Sequence, residues 1–503
     1  MPKIYRIDLA NNEIKKESIQ SRNQLELYAG RALSSKIIAD EVPPETDPLD
    51  SENKLIFATG FLSGTFAPNS GRISIGAKSP LTQGIKESNV GGRAPSILAK
   101  HDVRALILEK MAEEWKVIHV SEKGIKILQA NDLAELDNYE LAERLIAKYG
   151  KNVGAFTIGS AGNRLFLNAS IASIDMQGYP SRHAGRGGLG AVMGSKKVKA
   201  IVLEPPKQNK IKYYNQSEFK NYAVPWFKEL NESKRVFSKY GTAIGVSGMS
   251  ETHGLPTQNF RRGSFKDVEK ISGDALHDFL EENKGKFSVA CSPGCAIRCS
   301  NIVYNKDGKH ITSSLEYETI AMNGSNLMIN DIEKIAWIDH YSDDIGIDSI
   351  ECGNTIAMYM EAGDIEWGDA DAVIELLKGI KENKQKSLDL GLGCYRLGKK
   401  LGIKRIPQVK KQGFPGYDPR SYKGMGITYY TSPMGADHTA GPAIINRKAY
   451  SDKEYNASNP WDPKYKVLLS KELQIFIMIL DSMGLCYFVG PSFEVTKTLS
   501  HLL

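Results

Sequence analysis

The chain reads as an α+β protein, with a β-rich N-terminal domain followed by two mainly helical domains. Three observations predict this. Short alternating runs fill the first two hundred residues. Longer helical periodicity takes over after a polar stretch near residue 208, and a Gly/Pro-rich break comes near residue 411. The predicted units are 1–208, 209–410 and 411–503.

Each element has its own local pattern. Lys3-Ile-Tyr-Arg-Ile-Asp-Leu9 alternates, and Asn11-Asn12 turns the chain back into Glu13–Ile19, a hairpin. Further strands are expected at Leu55–Thr59, Arg72–Ile75, Trp115–Val120, Gly124–Leu128 and Lys199–Leu203. A helix is expected at Asn138–Tyr149, with Gly150 as its stop. Pro205–Lys212 reads as the linker, and helical segments come after it around Glu218–Tyr240, Ile332–His340 and Asn354–Ala362. Pro407 and Gln412–Pro419 mark the second break. No internal repeat is visible in the sequence.

Composition excludes several classes. The 503 residues are 41% hydrophobic and 25% charged, as in ordinary soluble proteins, and allow large cores. A formal charge of +6 without a Lys/Arg block gives no sign of a nucleic-acid surface. The start lacks the apolar core of a signal peptide, and the strongly apolar stretch Ile475–Leu480 is too short to span a bilayer. The expectation is a soluble, cytoplasmic chain with no membrane partner. Its six cysteines are then reduced thiols or ligands.

Three of those cysteines stand close together, in Cys291-Ser-Pro-Gly-Cys295-Ala-Ile-Arg-Cys299. Thiolates suit iron, and Pro293-Gly294 favours a turn on which sulfurs can converge. With Cys486 as a fourth ligand they would hold a 4Fe–4S cluster. The plainer alternative is a group of buried free thiols.

Gly185-Arg-Gly-Gly-Leu-Gly190 satisfies the dinucleotide-binding expression, but that reading is rejected on context. Gln177–His183 reads as loop before it, and Ala191–Lys197 after it leads almost directly to a strand. Together with Ser88-Asn-Val-Gly-Gly-Arg93, the segment His183-Ala-Gly-Arg-Gly-Gly-Leu-Gly190 mixes glycine with arginine, which suits close approach to an anionic cofactor. Tight turns with a surface arginine are the alternative.

Asp343-Asp-Ile-Gly-Ile-Asp348 and Asp481-Ser-Met-Gly-Leu-Cys486 share one form. An Asp carboxylate can accept paired hydrogen bonds from a pterin edge, and Gly lets the ring sit close. Two acidic helix ends stopped by glycine would look the same.

Together with Ser70-Gly-Arg72, Ala184–Lys196, Glu316-Tyr-Glu318, Asp418-Pro-Arg420 and Gly435-Ala-Asp-His438, these motifs resemble the tungsten-containing aldehyde ferredoxin oxidoreductase family along the whole chain. The resemblance implies tungstopterin, a tungsten held by the dithiolene sulfurs of two molybdopterins whose phosphates share a magnesium ion. It implies that Asn89 and Ala184 touch the magnesium through their carbonyls, and that Arg72, Gly91, Arg186 and Gly187 line the pterins. Asp343, Ile347 and Asp348 would hold one pterin, and Asp481, Leu485 and Tyr487 the other. Cys291, Cys295, Cys299 and Cys486 would carry the 4Fe–4S cluster.

The implied reaction is oxidation of a small aldehyde to a carboxylic acid, with electrons leaving through the cluster to ferredoxin. His438 and Glu316, or Glu318, are the candidates for proton transfer. A homodimer or a partner subunit is expected.

Three departures from the family pattern stand out. Three residues rather than two separate the first two cysteines, and Met434 and Ala440 stand where the family often carries basic side chains. Family chains also continue well beyond the last cluster cysteine, so this one is expected to lack part of the third domain. That keeps a second reading open, a cofactor-binding electron-transfer or scaffold subunit needing a partner chain. A radical enzyme with three close thiols is a third, and the Cys486 motif fits it poorly.

Overall fold

The structure is a computed structural model that describes residues 3–18, 25–209, 211–444, 459–490 and 493–502. It is an α+β protein, with two six-stranded sheets first and mainly helical domains after them.

The first sheet is built from β1 (Lys3–Asp8), β2 (Glu13–Ser18), β3 (Leu55–Thr59), β4 (Ile73–Lys78), β5 (Ile85–Val90) and β6 (Val103–Glu109), in the order β2-β1-β6-β3-β4-β5. The second comprises β7 (Lys116–Ser121), β8 (Gly124–Gln129), β9 (Gly154–Thr157), β10 (Ile171–Ser173), β11 (Arg182–Ala184) and β12 (Val198–Leu203), in the order β8-β7-β12-β9-β10-β11.

The two orders are the same path traced twice. A hairpin comes first, its leading strand pairs in parallel with the sixth strand (β1 with β6, β7 with β12), and the rest is antiparallel. Register agrees as well: Ile73 faces Val90 across β4–β5, and Ile171 faces Ala184 across β10–β11. A helix comes after the edge strand in each half, Ala94–Lys100 in one and Leu189–Ser195 in the other. The sequence shows no repeat because the halves share topology while their strand sequences have diverged.

Two expectations are corrected here. The helix Leu189–Ser195 opens from the glycine run, and Arg182–Ala184 before it is a strand, so both surroundings assumed for that run were wrong. The dinucleotide reading still fails, because β11 is an antiparallel edge strand separated from β12 by β10 and β9. Strands β5, β6 and β9–β11 were also not foreseen. β6 (VRALILE) is a nearly continuous apolar run, as a strand buried on both faces requires. β5 (IKESNV) is polar yet largely buried, because it borders the site.

The expected helix Asn138–Tyr149 forms with Gly150 as its cap, at φ 97°. Beyond the linker come helices Gln216–Ser233, Arg235–Tyr240, Gly273–Glu282, Ile332–Ile345 and Ser349–Glu361, then Lys466–Met483 and Phe493–Leu502. A small antiparallel sheet, β13 (Lys286–Val289), β14 (Ser300–Tyr304) and β15 (His310–Ser313), was not expected; the β13–β14 connection carries the three close cysteines.

One core lies between the two sheets and includes Phe57, Leu106, Phe156 and Ile201, each contributing about 1.5–3 kcal/mol when fully buried. Another seats Leu62 and Ala67 of the first half against Trp226, Phe476 and Leu480 of the helices. Among the described residues no helix is long and apolar enough to cross a membrane.

Candidate redox site

The site forms where β5 and β11, the edge strands of the two sheets, pack against each other. Each half then receives one helix end. Helix Ile332–Ile345 stops at Gly346 (φ 74°) and helix Lys466–Met483 at Gly484 (φ 77°), both in the left-handed region that favours glycine. The paired acidic motifs are therefore helix ends with glycine stops, as the plainer reading had it.

They are also docked alike. Gly484 accepts a hydrogen bond from the Arg72 N–H (3.2 Å), and Gly346 accepts one from the Ser170 N–H (2.8 Å). Arg72 and Ser170 hold equivalent places, just before β4 and β10. The glycine after β3, Gly60, lies so near the second motif that a Cβ would sit 2.0 Å from the Gly484 nitrogen. Its counterpart Gly159 would meet the Ile345 carbonyl at 2.5 Å.

The four thiols converge on the first half. Asn69 ties them together: its carbonyl accepts from the Cys486 N–H (2.8 Å), its N–H donates to the Gly294 carbonyl (3.0 Å), and its Oδ1 accepts from the Ala296 N–H (3.0 Å). Its Nδ2 lies 3.6 Å from Cys295 Sγ. Cys291 and Cys295 share a hydrogen bond, and the charges of Cys291 and Cys486 reach both Cys295 and Cys299.

The hydrogen bond from Cys295, with Arg182 and Arg72 beyond it, holds the Cys291 thiol well below its ordinary range. Burial raises Cys299, and raises Cys486 to about 11. The donor set fits a 4Fe–4S cluster. The four cysteines interact with one another, backbone N–H groups of Arg298 (3.3 Å) and Phe488 (3.4 Å) point at two of the sulfurs, and buried Arg182 keeps Nε and Nη2 without a hydrogen-bond partner near them.

Arg72 donates to Asn89, at its side-chain oxygen and at its carbonyl (3.1 Å). Gly91 faces this guanidinium and Cys291, with 3.6–3.7 Å left to a Cβ. Asp481 is salt-bridged to Arg31 (3.4 Å), and burial together with Glu87 pushes its carboxyl up to about 8 against Arg31 and Arg72. Leu485 is fully buried beside it, and Tyr487 is half-buried against Phe488.

Around the second half, His183 joins Ser170 (Nδ1 to Oγ, 2.8 Å) to Asp343 (Nε2 to Oδ1, 3.1 Å). Ile347 bridges to Ala169, and Asp348 caps the next helix through the Ile350 N–H (3.0 Å). The Arg186 donors are spent within the protein, on Asp348 (3.1 Å), Ala436 O (2.5 Å), Gly413 O (2.8 Å) and Glu351 (3.4 Å). This guanidinium thus joins the β-rich domain to both helical regions.

Gly187 comes next at φ 91°, against Lys86, whose ammonium is paired with buried Asp437. Burial would raise Asp437, but Lys86 and Arg186 hold it far below the carboxylate range. Ala184 ends β11 with its side chain buried.

The two proton candidates part company. His438 Nε2 faces Glu318 (3.4 Å), whose other oxygen accepts from the Gly416 N–H (2.7 Å). His438 Nδ1 and Glu318 Oε1 are buried without hydrogen-bond partners. Glu316 instead meets Ser314 and Thr242, with Arg182 at 3.9 Å, and burial raises it. It therefore sits on the thiol side.

Sequence reasoning missed Asn69, Arg31, Lys86, Arg182, His183 and Glu351. Asn69 directly precedes a quoted motif, Arg182 directly precedes the segment that His183 opens, and Lys86 is a cation in a strand that was itself missed. Those were the available signals.

Comparison with known proteins shows the family to which the chain belongs. Residues 4–205 match the family described as aldehyde ferredoxin oxidoreductase, N-terminal domain, and residues 219–502 match its domains 2 and 3. A tungsten-containing aldehyde ferredoxin oxidoreductase of Pyrococcus horikoshii is 32% identical over 97% of this chain and 81% of its own. An aliphatic sulfonate oxidoreductase, WOR-like subunit, of Pyrococcus furiosus is 26% identical over 88% and 75%. The BamBC active-site complex of benzoyl coenzyme A reductase shares the fold, with a TM-score of 0.77 at 19% identity over 97% and 81% of the two chains. On both family matches, the chain belongs to the aldehyde ferredoxin oxidoreductase family and is an oxidoreductase of that family.

Proposed function

We propose that the protein oxidises a small aldehyde to its carboxylic acid in the cytoplasm and passes the electrons to ferredoxin. In balance, aldehyde and water give acid, two protons and two electrons, one electron for each of two ferredoxins. The observation that carries this is the meeting of Cys486 with the 291–299 loop through Asn69, beside Arg72, Gly91 and Asp481. Bound tungstopterin would supply the oxygen transfer and the two-electron step, and the 4Fe–4S cluster would release electrons singly.

Cys291, Cys295, Cys299 and Cys486 would hold the cluster, with Arg182 countering its negative charge. Arg72, Gly91, Asp481, Leu485 and Tyr487 would line one pterin. Arg186, Gly187, Asp343, Ile347 and Asp348 would line the other, with Asn89 and Ala184 beside the magnesium. Arg186 would act mainly by orienting Asp348. His438 would take the substrate-derived proton, and Glu318 would orient its ring and stabilise the imidazolium. Glu316, whose carboxyl is raised by burial against Arg182, Ser314 and Thr242, would exchange protons on the thiol side.

Anaerobically purified protein, assayed for tungsten and iron per chain and for aldehyde-dependent reduction of a viologen dye, tests this. Metallated protein with no turnover on any aldehyde would reject it. A second reading, a subunit that completes its site with a partner chain, draws support from the relative named as a subunit. Turnover appearing only with an added partner would favour it.

A further inference from the structure

A short protein path links one of the thiols to an uncommitted cationic patch. Helix Arg235–Tyr240 lies on β13, joined to it by Ser238 Oγ and Ser288 Oγ (3.1 Å). The same hydroxyl reaches the Arg298 carbonyl (3.4 Å), and the Arg298 N–H points at Cys295 Sγ (3.3 Å). One residue thus separates the sulfur from the surface. Phe237 of the helix packs on Cys295 and Cys299.

Arg235, Lys239, Lys286 and Arg298 are all exposed on this face, and among the described residues none of them forms an ion pair. The same helix and strand also expose Val236 (61%) and Phe287 (38%), and Phe287 lies beside Lys239. A narrow cleft opens beside it, lined by Lys239, Tyr240, His277, Phe287 and Cys299. Its far rim, on helix Gly273–Glu282, carries exposed Asp278 and Glu281, so the cationic character ends there.

Exposed apolar side chains beside unpaired cations, over a redox group, fit a small acidic one-electron carrier. Opposite charge steers encounter, and the acidic rim sets the orientation by repelling the wrong edge. We infer that the face formed by Arg235, Lys239, Lys286 and Arg298 docks an acidic ferredoxin, which takes one electron from the reduced cluster beneath Cys295 in each encounter. This rests on the oxidoreductase reading and deepens it.

The test is the triple variant Arg235→Glu/Lys239→Glu/Lys286→Glu, which leaves Arg298 and all four cysteines untouched, with the Gln triple variant as its milder counterpart. Two readouts are needed. At low ionic strength, binding of an acidic 4Fe–4S ferredoxin by calorimetry and ferredoxin-dependent turnover should both fall about tenfold or more. Aldehyde-dependent viologen reduction and iron content should stay unchanged. Wild-type binding should itself weaken steeply with added salt. Unchanged ferredoxin binding in both variants would overturn the assignment, as would wild-type protein that reduces viologen but binds no ferredoxin. Wild-type protein that binds ferredoxin at this face but turns over no aldehyde would uphold the docking face and reject the reaction.

Discussion

Asn69 accepts the Cys486 N–H at its carbonyl (2.8 Å) and the Ala296 N–H at its side chain (3.0 Å), so one residue of the first sheet's loop aligns Cys486 with a cysteine loop far upstream in the chain. It does so at φ 57°, a left-handed conformation that asparagine tolerates better than most residues. Asn69→Ala is expected to lower stability by about 1–3 kcal/mol by leaving the Ala296 N–H unsatisfied. Iron per chain should fall with it. Full iron content and an unshifted melting temperature would show that the cysteine loop is positioned without the Asn69 side chain.

Gly60→Ala should be among the most damaging single methyl additions. Its Cβ would collide with the Gly484 backbone at 2.0 Å, which no rotamer can relieve. A loss above about 3 kcal/mol, or failure to accumulate folded protein, is expected. Gly124→Ala is the control. It is strained by φ 109° but has no atom within 4 Å, and should cost only about 1 kcal/mol.

Lys86 and Asp437 form a buried pair linking β5 to the segment after helix Lys423–Thr431. Removing one charge leaves the other buried alone. Lys86→Met and Asp437→Asn should each cost about 3–5 kcal/mol in urea unfolding. The double variant should cost less than the sum, and strict additivity would deny the coupling.

His310 stacks on Tyr179 with ring centroids 3.7 Å apart and shares a hydrogen bond with Ser313 (2.9 Å). Burial, helped by His340 and opposed by Asp343, depresses its pKa to about 4. A depressed histidine binds its proton less readily when folded, so its contribution is complete above about pH 6.5 and disappears as pH falls towards 4. Discounted for partial exposure, it should amount to about 1–2 kcal/mol. The urea midpoint should drop over this window in the parent and less in His310→Gln; parallel pH profiles would contradict this.

Glu318→Gln and His438→Phe should lower aldehyde turnover by about 10²–10⁴-fold with tungsten retained, if they serve in proton transfer. Glu316→Gln, lying beside Arg182 and the thiols, should alter the midpoint potential of the cluster more than kcat. Redox titration with a spectroscopic readout separates the two. Equal effects of both Glu substitutions on kcat alone would remove the distinction drawn from geometry.

Much of this was legible beforehand, for physical reasons. The hairpin Lys3–Ile19 and the helix Asn138–Tyr149 carry their own periodicity and stops. Cys486 announced itself as the ending of a motif seen twice. What stayed hidden was nonlocal. β10 and β11 are three residues each, too short for alternation to register. β5 is polar because it borders the site, so its pattern mimics a loop. Glu351 lies in an ordinary helix, and only the fold shows its carboxylate accepting from the Cys394 and Gly413 N–H groups (3.0 and 2.8 Å).

Two like halves can clasp two like groups, yet these halves have not stayed interchangeable. Where one offers Arg72 bonded to Asn89, the other offers Ser170 bonded to His183, and the cluster of cysteines gathers on the arginine side. The doubled scaffold therefore has a front and a back: one topology, used twice, has come to carry different side chains on its two faces.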